Sequence, residues 1–173
     1  MSTYYTIEEK YLQATDKLTY GKTPKALQLL NEIVSNDPLY ARAHHQLGKI
    51  YYYDIEDYQT AGYHFKTCME LEPAFPGNYF HYLTLVVFLN MEKQVTLIAE
   101  KALATPGVDV AEIYDLLGLS AEKNRHFEKA LKAYNDAFEM VTDTVERARV
   151  EESIKRVTAK MQKSNAVSYH LTD

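Results

Sequence analysis

The sequence predicts an all-α fold in which antiparallel helix pairs stack as a repeat array. Three observations predict it. Pro38, Pro73 and Pro106 lie 35 and 33 residues apart. The pair Leu47-Gly48 recurs 70 residues later as Leu117-Gly118, two steps of the same size. A period in this range marks one supersecondary unit used several times. Between these marks the local signals are helix caps, helix stops and apolar residues at helical spacing, with no alternating strand pattern.

The elements follow in order. The first helix opens at a capping box, Thr6 with Glu9, and stops at Tyr20 before Gly21. Thr23-Pro24 reads as a cap and an N1 proline for the second helix, whose buried stripe is Ala26, Leu27, Leu29, Leu30, Ile33 and Val34. Asp37-Pro38 repeats the cap-plus-proline signal for the third. There His44, Leu47, Gly48 and Tyr51 obey the i, i+3, i+4, i+7 rule and share the core face. Tyr51 is therefore the core member of the tyrosine run 51–53. Arg42, His45, Lys49 and Tyr52 form a neighbouring stripe, with Tyr53 beyond it. Residues 54–57, DIED, lack calcium-loop spacing and read as a solvated turn. Residues 82–91, YLTLVVFLNM, are too few to span a bilayer and read as a buried helix. Asp109 with Glu112 and Asp143 with Glu146 are further capping boxes. Residues 144–163 carry a one-sided stripe, Val150, Ile154, Val157 and Met161, backed by charge. That is the polar-backed lid the end of a stack requires. The total is nine helices, four pairs and a cap. Residues 164–173 show no amphipathic pattern and read as a flexible tail; docking of Tyr169, His170 and Leu171 into a groove is the minor alternative.

Composition excludes several functions. Hydrophobic residues are 46% and charged residues 25%, as in a soluble globular domain. The net charge is −5 and no basic stripe appears, so neither nucleic acid nor an anionic membrane is an expected partner. One cysteine, Cys68, and no signal-peptide pattern in residues 1–10 suit a cytoplasmic, reducing setting. His44 and His45 are adjacent and point about 100° apart, so they do not chelate one metal ion. His64 and Cys68 stand four apart on one helix, the one nucleophile-like pair, but Cys68 falls at a small, buried repeat position and is expected to be inert. No phosphate loop appears. Neither an enzyme nor a cofactor is expected.

The spacing resembles the tetratricopeptide repeat (TPR), W-x2-L-G-x2-Y, then A-x3-F-x2-A, then P. The second unit, 41–75, carries Leu47, Gly48, Tyr51, Ala61, Phe65 and Pro73, with His44 for tryptophan and Cys68 for the last small residue. The fourth, 111–144, carries Tyr114, Leu117, Gly118, Phe127, Ala130, Tyr134 and Ala137. The first, 7–40, keeps Ala26, Leu30 and Pro38, with Ala14 at the glycine position. The third, 76–109, is irregular, with Leu83 for glycine and Val95 for alanine. The resemblance implies a right-handed superhelical solenoid, a single domain over 1–163. It also implies that Gly48 and Ala61 sit where paired helices cross.

In that family the first helix of each pair lines a concave groove. The resemblance therefore implies a binding wall of Tyr11, Arg42, His45, Lys49, Tyr52, Tyr53, Phe80, His81, Thr84, Phe88 and Asp115, with Thr15, Leu119 and Glu122 on the same positions. Such a wall is aromatic, with a positive centre at Arg42 and Lys49 and an acidic end. A protein or peptide segment of acidic or aromatic character is the expected ligand. The bland alternative is that these rings only pack neighbouring units. A third reading is a self-associating scaffold, a homodimer through the irregular third unit or the tail. The lysine–asparagine clamp with which some TPR proteins grip chaperone C-termini is missing: its positions hold Tyr11, Thr15 and Gln46.

Overall fold

Helix starts and stops written in the sequence act on the backbone first. A computed structural model of the chain describes residues 5–169, with side chains described through residue 163. It holds nine helices and no strand among the described residues. The chain divides into two units, Met1–Leu85 and Val86–Asp173.

The first unit comprises α1 (Ile7–Thr19), α2 (Thr23–Asn36), α3 (Ala41–Tyr53), α4 (Tyr58–Leu71) and most of α5 (Gly77–Phe88). The capping box of α1 closes both ways: Glu9 N–H donates to Thr6 Oγ1 at 3.1 Å, and Thr6 N–H donates to the Glu9 carboxylate at 2.7 Å. Two starts differ from expectation. Lys22, not Thr23, caps α2, without a side-chain bond. Asp37 ends α2 rather than opening α3, because its carboxylate takes the Leu39 N–H at 3.0 Å in a local turn. Pro38 thus lies between helices, and its carbonyl is available to His44. The core is Ala14, Leu30, Ile33, Ala43, Leu47 and Ile50. Gly48 lets α3 approach α4: a Cβ there would stand 2.6 Å from the Phe65 ring. Tyr51 packs against this core as expected and stacks on the His64 ring at 5.6 Å.

The second unit holds α6 (Glu92–Leu103), α7 (Val110–Lys123), α8 (Phe127–Met140) and α9 (Thr144–Tyr169). Gly118 repeats the close approach, 2.6 Å from the Tyr134 ring. Val150 and Val157 of α9 are buried in the core, with Ile154 and Met161 packed against it, so the lid stripe forms as expected. Its backbone stays helical past Lys163 to Tyr169, where a tail was expected; no glycine or proline interrupts it. The proposed docking of Tyr169, His170 and Leu171 lies outside the described residues.

Residues 82–91 divide by burial. Tyr82, Leu83, Leu85, Val86 and Val87 are buried, whereas Phe88, Leu89 and Met91 are exposed. No helix of the described residues is long and apolar enough to cross a membrane. A second periodicity appears in the backbone. Gly21, Glu56, Asn90 and Arg125 all have φ between 57° and 67°, at steps of 35, 34 and 35 residues (56−21, 90−56, 125−90). Each sits in the turn inside one helix pair.

Candidate functional site

Gln46, Lys49 and Tyr53 are spaced i, i+3, i+7 and share one face of α3. Together with Thr15 of α1 they line a cleft of about 510 Å³, with Asp54 and Gly21 also lining it. Its polar equipment is an amide, an ammonium group, hydroxyls and the Asp54 carboxylate. Tyr53 is half-exposed, and its hydroxyl meets His81 Nδ1 at 2.9 Å. Tyr52 packs edge-on to Tyr53 at 4.5 Å and to Tyr58 at 5.9 Å. Gln46 Nε2 donates to the Tyr11 hydroxyl at 3.5 Å, and Tyr11 tilts against Tyr40 at 5.4 Å.

Other residues of the expected wall are placed differently. His45 is buried, 6% exposed; its Nδ1 meets Asn78 Oδ1 at 3.2 Å and its ring stands edge-on to Phe75 at 5.1 Å. It is a packing residue, not a wall residue. Arg42 pairs with Glu72 at 3.5 Å and lies over the Phe75 ring at 5.4 Å. The expected positive centre is therefore reduced to Lys49. Phe80 packs on His81 at 5.3 Å, and the Thr84 hydroxyl donates back to the Phe80 carbonyl at 2.7 Å.

In the second unit Phe88 is about half-exposed. Asp115 pairs with Arg149 of α9 at 3.3 Å. Glu122 is buried and accepts from Arg156 twice at 2.8 Å, from Lys160 at 2.7 Å and from Tyr134 at 2.8 Å. The acidic end is consumed by the lid helix, so it is no free ligand surface. Helical phase puts these carboxylates on one stripe of α7 but cannot show that α9 lies against it.

Burial is the first cause of the unusual proton affinities. It holds His45, His64 and His81 down to about 4, with Lys49 adding to the effect on His45 and His81 and His44 adding to that on His64. All three are neutral at pH 7. Burial also raises the Tyr52 and Tyr53 hydroxyls, which stay protonated. It pushes the Cys68 thiol up to about 12, so the His64–Cys68 pair holds no thiolate nucleophile. Among the described residues no three histidine, cysteine or acidic side chains cluster as metal ligands. Two features escaped sequence reasoning: Asn78, because a lone polar residue gives no periodic signal, and the His44–His64 pair, because its partners come from different helices.

No family model matches the sequence, and no curated protein matches it. Solved structures do. A crystal structure of MamA protein aligns with a TM-score of 0.78 at 21% identity, over 95% of this chain and 87% of that one. MamA 41-end from Desulfovibrio magneticus RS-1 gives 0.77 at 19% identity, over 96% and 91%. TTC0263, a thermophilic TPR protein in Thermus thermophilus, gives 0.66 at 20% identity, over 86% and 81%. The fold is the tetratricopeptide-repeat fold. Identities this low carry the TPR fold and not a function. Within it, Gly48 on Phe65 and Gly118 on Tyr134 fill the glycine and aromatic positions of the TPR pattern.

Proposed function

We propose that this chain is a non-enzymatic interaction module that holds a protein segment of acidic or aromatic character in the cleft between α1 and α3. One observation carries the reading. Lys49 lines that cleft beside Gln46, Thr15 and Tyr53, and among the described residues it forms no ion pair. An ammonium in no ion pair among the described residues, flanked by hydroxyls, an amide and a tyrosine ring in a cleft that Asp54 also lines, suits a carboxylate next to an aromatic side chain. The inert, buried Cys68 fits a binding role in a reducing, cytoplasmic setting.

The test uses labelled extended peptides that alternate glutamate with phenylalanine or tyrosine. Lys49→Glu is expected to weaken binding at least tenfold, while stability changes by no more than about 0.5 kcal/mol, as at other surface sites. Equal affinity of the wild type and the variant overturns the reading. A second reading, the homodimer, is favoured by Phe88, Leu89, Met91 and Leu97, all exposed in the irregular third repeat. A dimer mass by light scattering that survives dilution, and is lost in Leu97→Glu, supports it.

A further inference from the structure

Three hydrogen bonds through imidazoles tie α3 to the two helices that follow it. His44 Nδ1 meets His64 Nδ1 of α4 at 2.9 Å. His45 Nδ1 meets Asn78 Oδ1 of α5 at 3.2 Å. The Tyr53 hydroxyl meets His81 Nδ1 of α5 at 2.9 Å. The first needs a bare Nδ1 on one of its two rings; the second needs only a proton on His45 Nδ1. The Pro38 carbonyl, 2.9 Å from His44 Nε2, can only accept, so that nitrogen carries the proton of the neutral ring. His44 Nδ1 is then bare, and His64 Nδ1–H donates to it. Asn78 donates its amide hydrogen to the Phe65 carbonyl at 2.8 Å, which fixes Oδ1 as the acceptor for His45 Nδ1–H. The His44 and His64 ring centroids are 5.1 Å apart, so the two nitrogens meet head to head with room for a proton and none for a metal ion.

We propose that this histidine set makes the α3–α4–α5 joint an acid-sensitive latch behind the cleft, so that mild acid loosens α3 together with Gln46, Lys49 and Tyr53. A proton on His64 goes to its Nε2, since Nδ1 already carries one; the bond to His44 survives, but a cation then stands at a buried site against the His44 ring. A proton on His81 makes both ring nitrogens donors, so the Tyr53 hydroxyl can then only accept from Nδ1. A proton on His45 adds a cation at a buried site close to Lys49 and His81. The groups that act on these rings are cationic or neutral. Lys49 and His81 face His45; His45, Lys49 and Tyr53 face His81; His44, Tyr51 and Tyr63 face His64. Glu72 is engaged with Arg42. Among the described residues no carboxylate acts on these three rings.

The sign follows from burial. The three rings sit near 4, below the ordinary 6.5, so folding favours their neutral forms. Their contribution is complete above pH 6.5 and is lost as pH falls from 6.5 to 4. Among the described residues the second unit has no such set: His126 is exposed, and Glu122, held at about 2 first by Arg156, keeps its contribution down to 4.5. The first unit is therefore the one that opens in mild acid.

The experiment is amide hydrogen exchange of the full chain at pH 7, 6 and 5, corrected for intrinsic rates. Exchange in α3 and α4 is expected to accelerate at least tenfold from pH 7 to 5, with α7 and α8 unchanged. His81→Phe and His64→Phe are expected to retain protection at pH 5. No acceleration in α3, or equal acceleration everywhere, overturns the latch. Should a variant fail to fold, imidazole NMR titration of the wild type decides. Any of His45, His64 or His81 that titrates near 6.5 while α3 stays protected overturns it; protonation only as protection is lost supports it. Release of a bound segment rests on the function proposed above. If α3 loosens while affinity for the glutamate–aromatic peptide holds, the latch stands and the cleft reading fails.

Discussion

At Gly48 a single hydrogen atom sets the distance between two helices. A methyl group in its place would stand 2.6 Å from Cδ1 and Cε1 of Phe65, a ring with no exposed surface. The ring has nowhere to go, so α3 must back away from α4. Gly48→Ala is expected to destabilise by about 1–3 kcal/mol, although alanine is the better helix former. Gly118→Ala is expected to behave alike, because Tyr134 stands at the same 2.6 Å. Urea unfolding midpoints check both; an unchanged midpoint contradicts the close-approach account. The irregular third repeat inverts the sizes at these two positions, with Leu83 for the glycine and Ala99 for the aromatic, both buried. The residue that breaks the pattern is matched by a second that breaks it in the opposite sense.

Elements show a repeat that side chains conceal. The four inner turns all need one residue in the left-handed region, yet only the first supplies glycine; the others use Glu56, Asn90 and Arg125. Asparagine tolerates that region, and Asn90 is further held by reciprocal amide bonds to Asn124 at 3.0 Å. Glu56 is exposed and only its backbone conformation is demanding. Glu56→Gly is expected to stabilise the chain by roughly 0.5–1 kcal/mol, since relief of the left-handed strain outweighs the added unfolded-state entropy. A rise in melting temperature checks it. A fall shows that the turn is held by more than its φ. Lys123 adds a tether of its own, donating to the carbonyls of Val87 and Phe88 at 2.6 and 2.9 Å at the end of α5.

For the whole molecule, the question is where charge is buried. The first unit buries neutral imidazoles; the second buries a carboxylate matched by two cations and a tyrosine. Depression of a histidine below 6.5 and of Glu122 from 4.5 to about 2 both make acid destabilising, but over different windows. Histidine stabilisation fades between 6.5 and 4, and that of Glu122 between 4.5 and 2. The same acid series read by exchange therefore separates the units: the lid helix α9 keeps its protection after α3 has lost it.

The sequence by itself determined the all-α TPR fold, nine helices, the core role of Tyr51 and the need for a small residue at Gly48 and Gly118. These follow from helical period and excluded volume, which are local and repeat every turn. Only tertiary structure decided which polar residues stay available. Arg42 is taken by Glu72, Asp115 by Arg149 and Glu122 by Arg156 and Lys160, while Lys49 forms no ion pair among the described residues. Ion pairing depends on the partner that a neighbouring helix brings within a few ångströms, and helical phase along one segment carries no record of that partner.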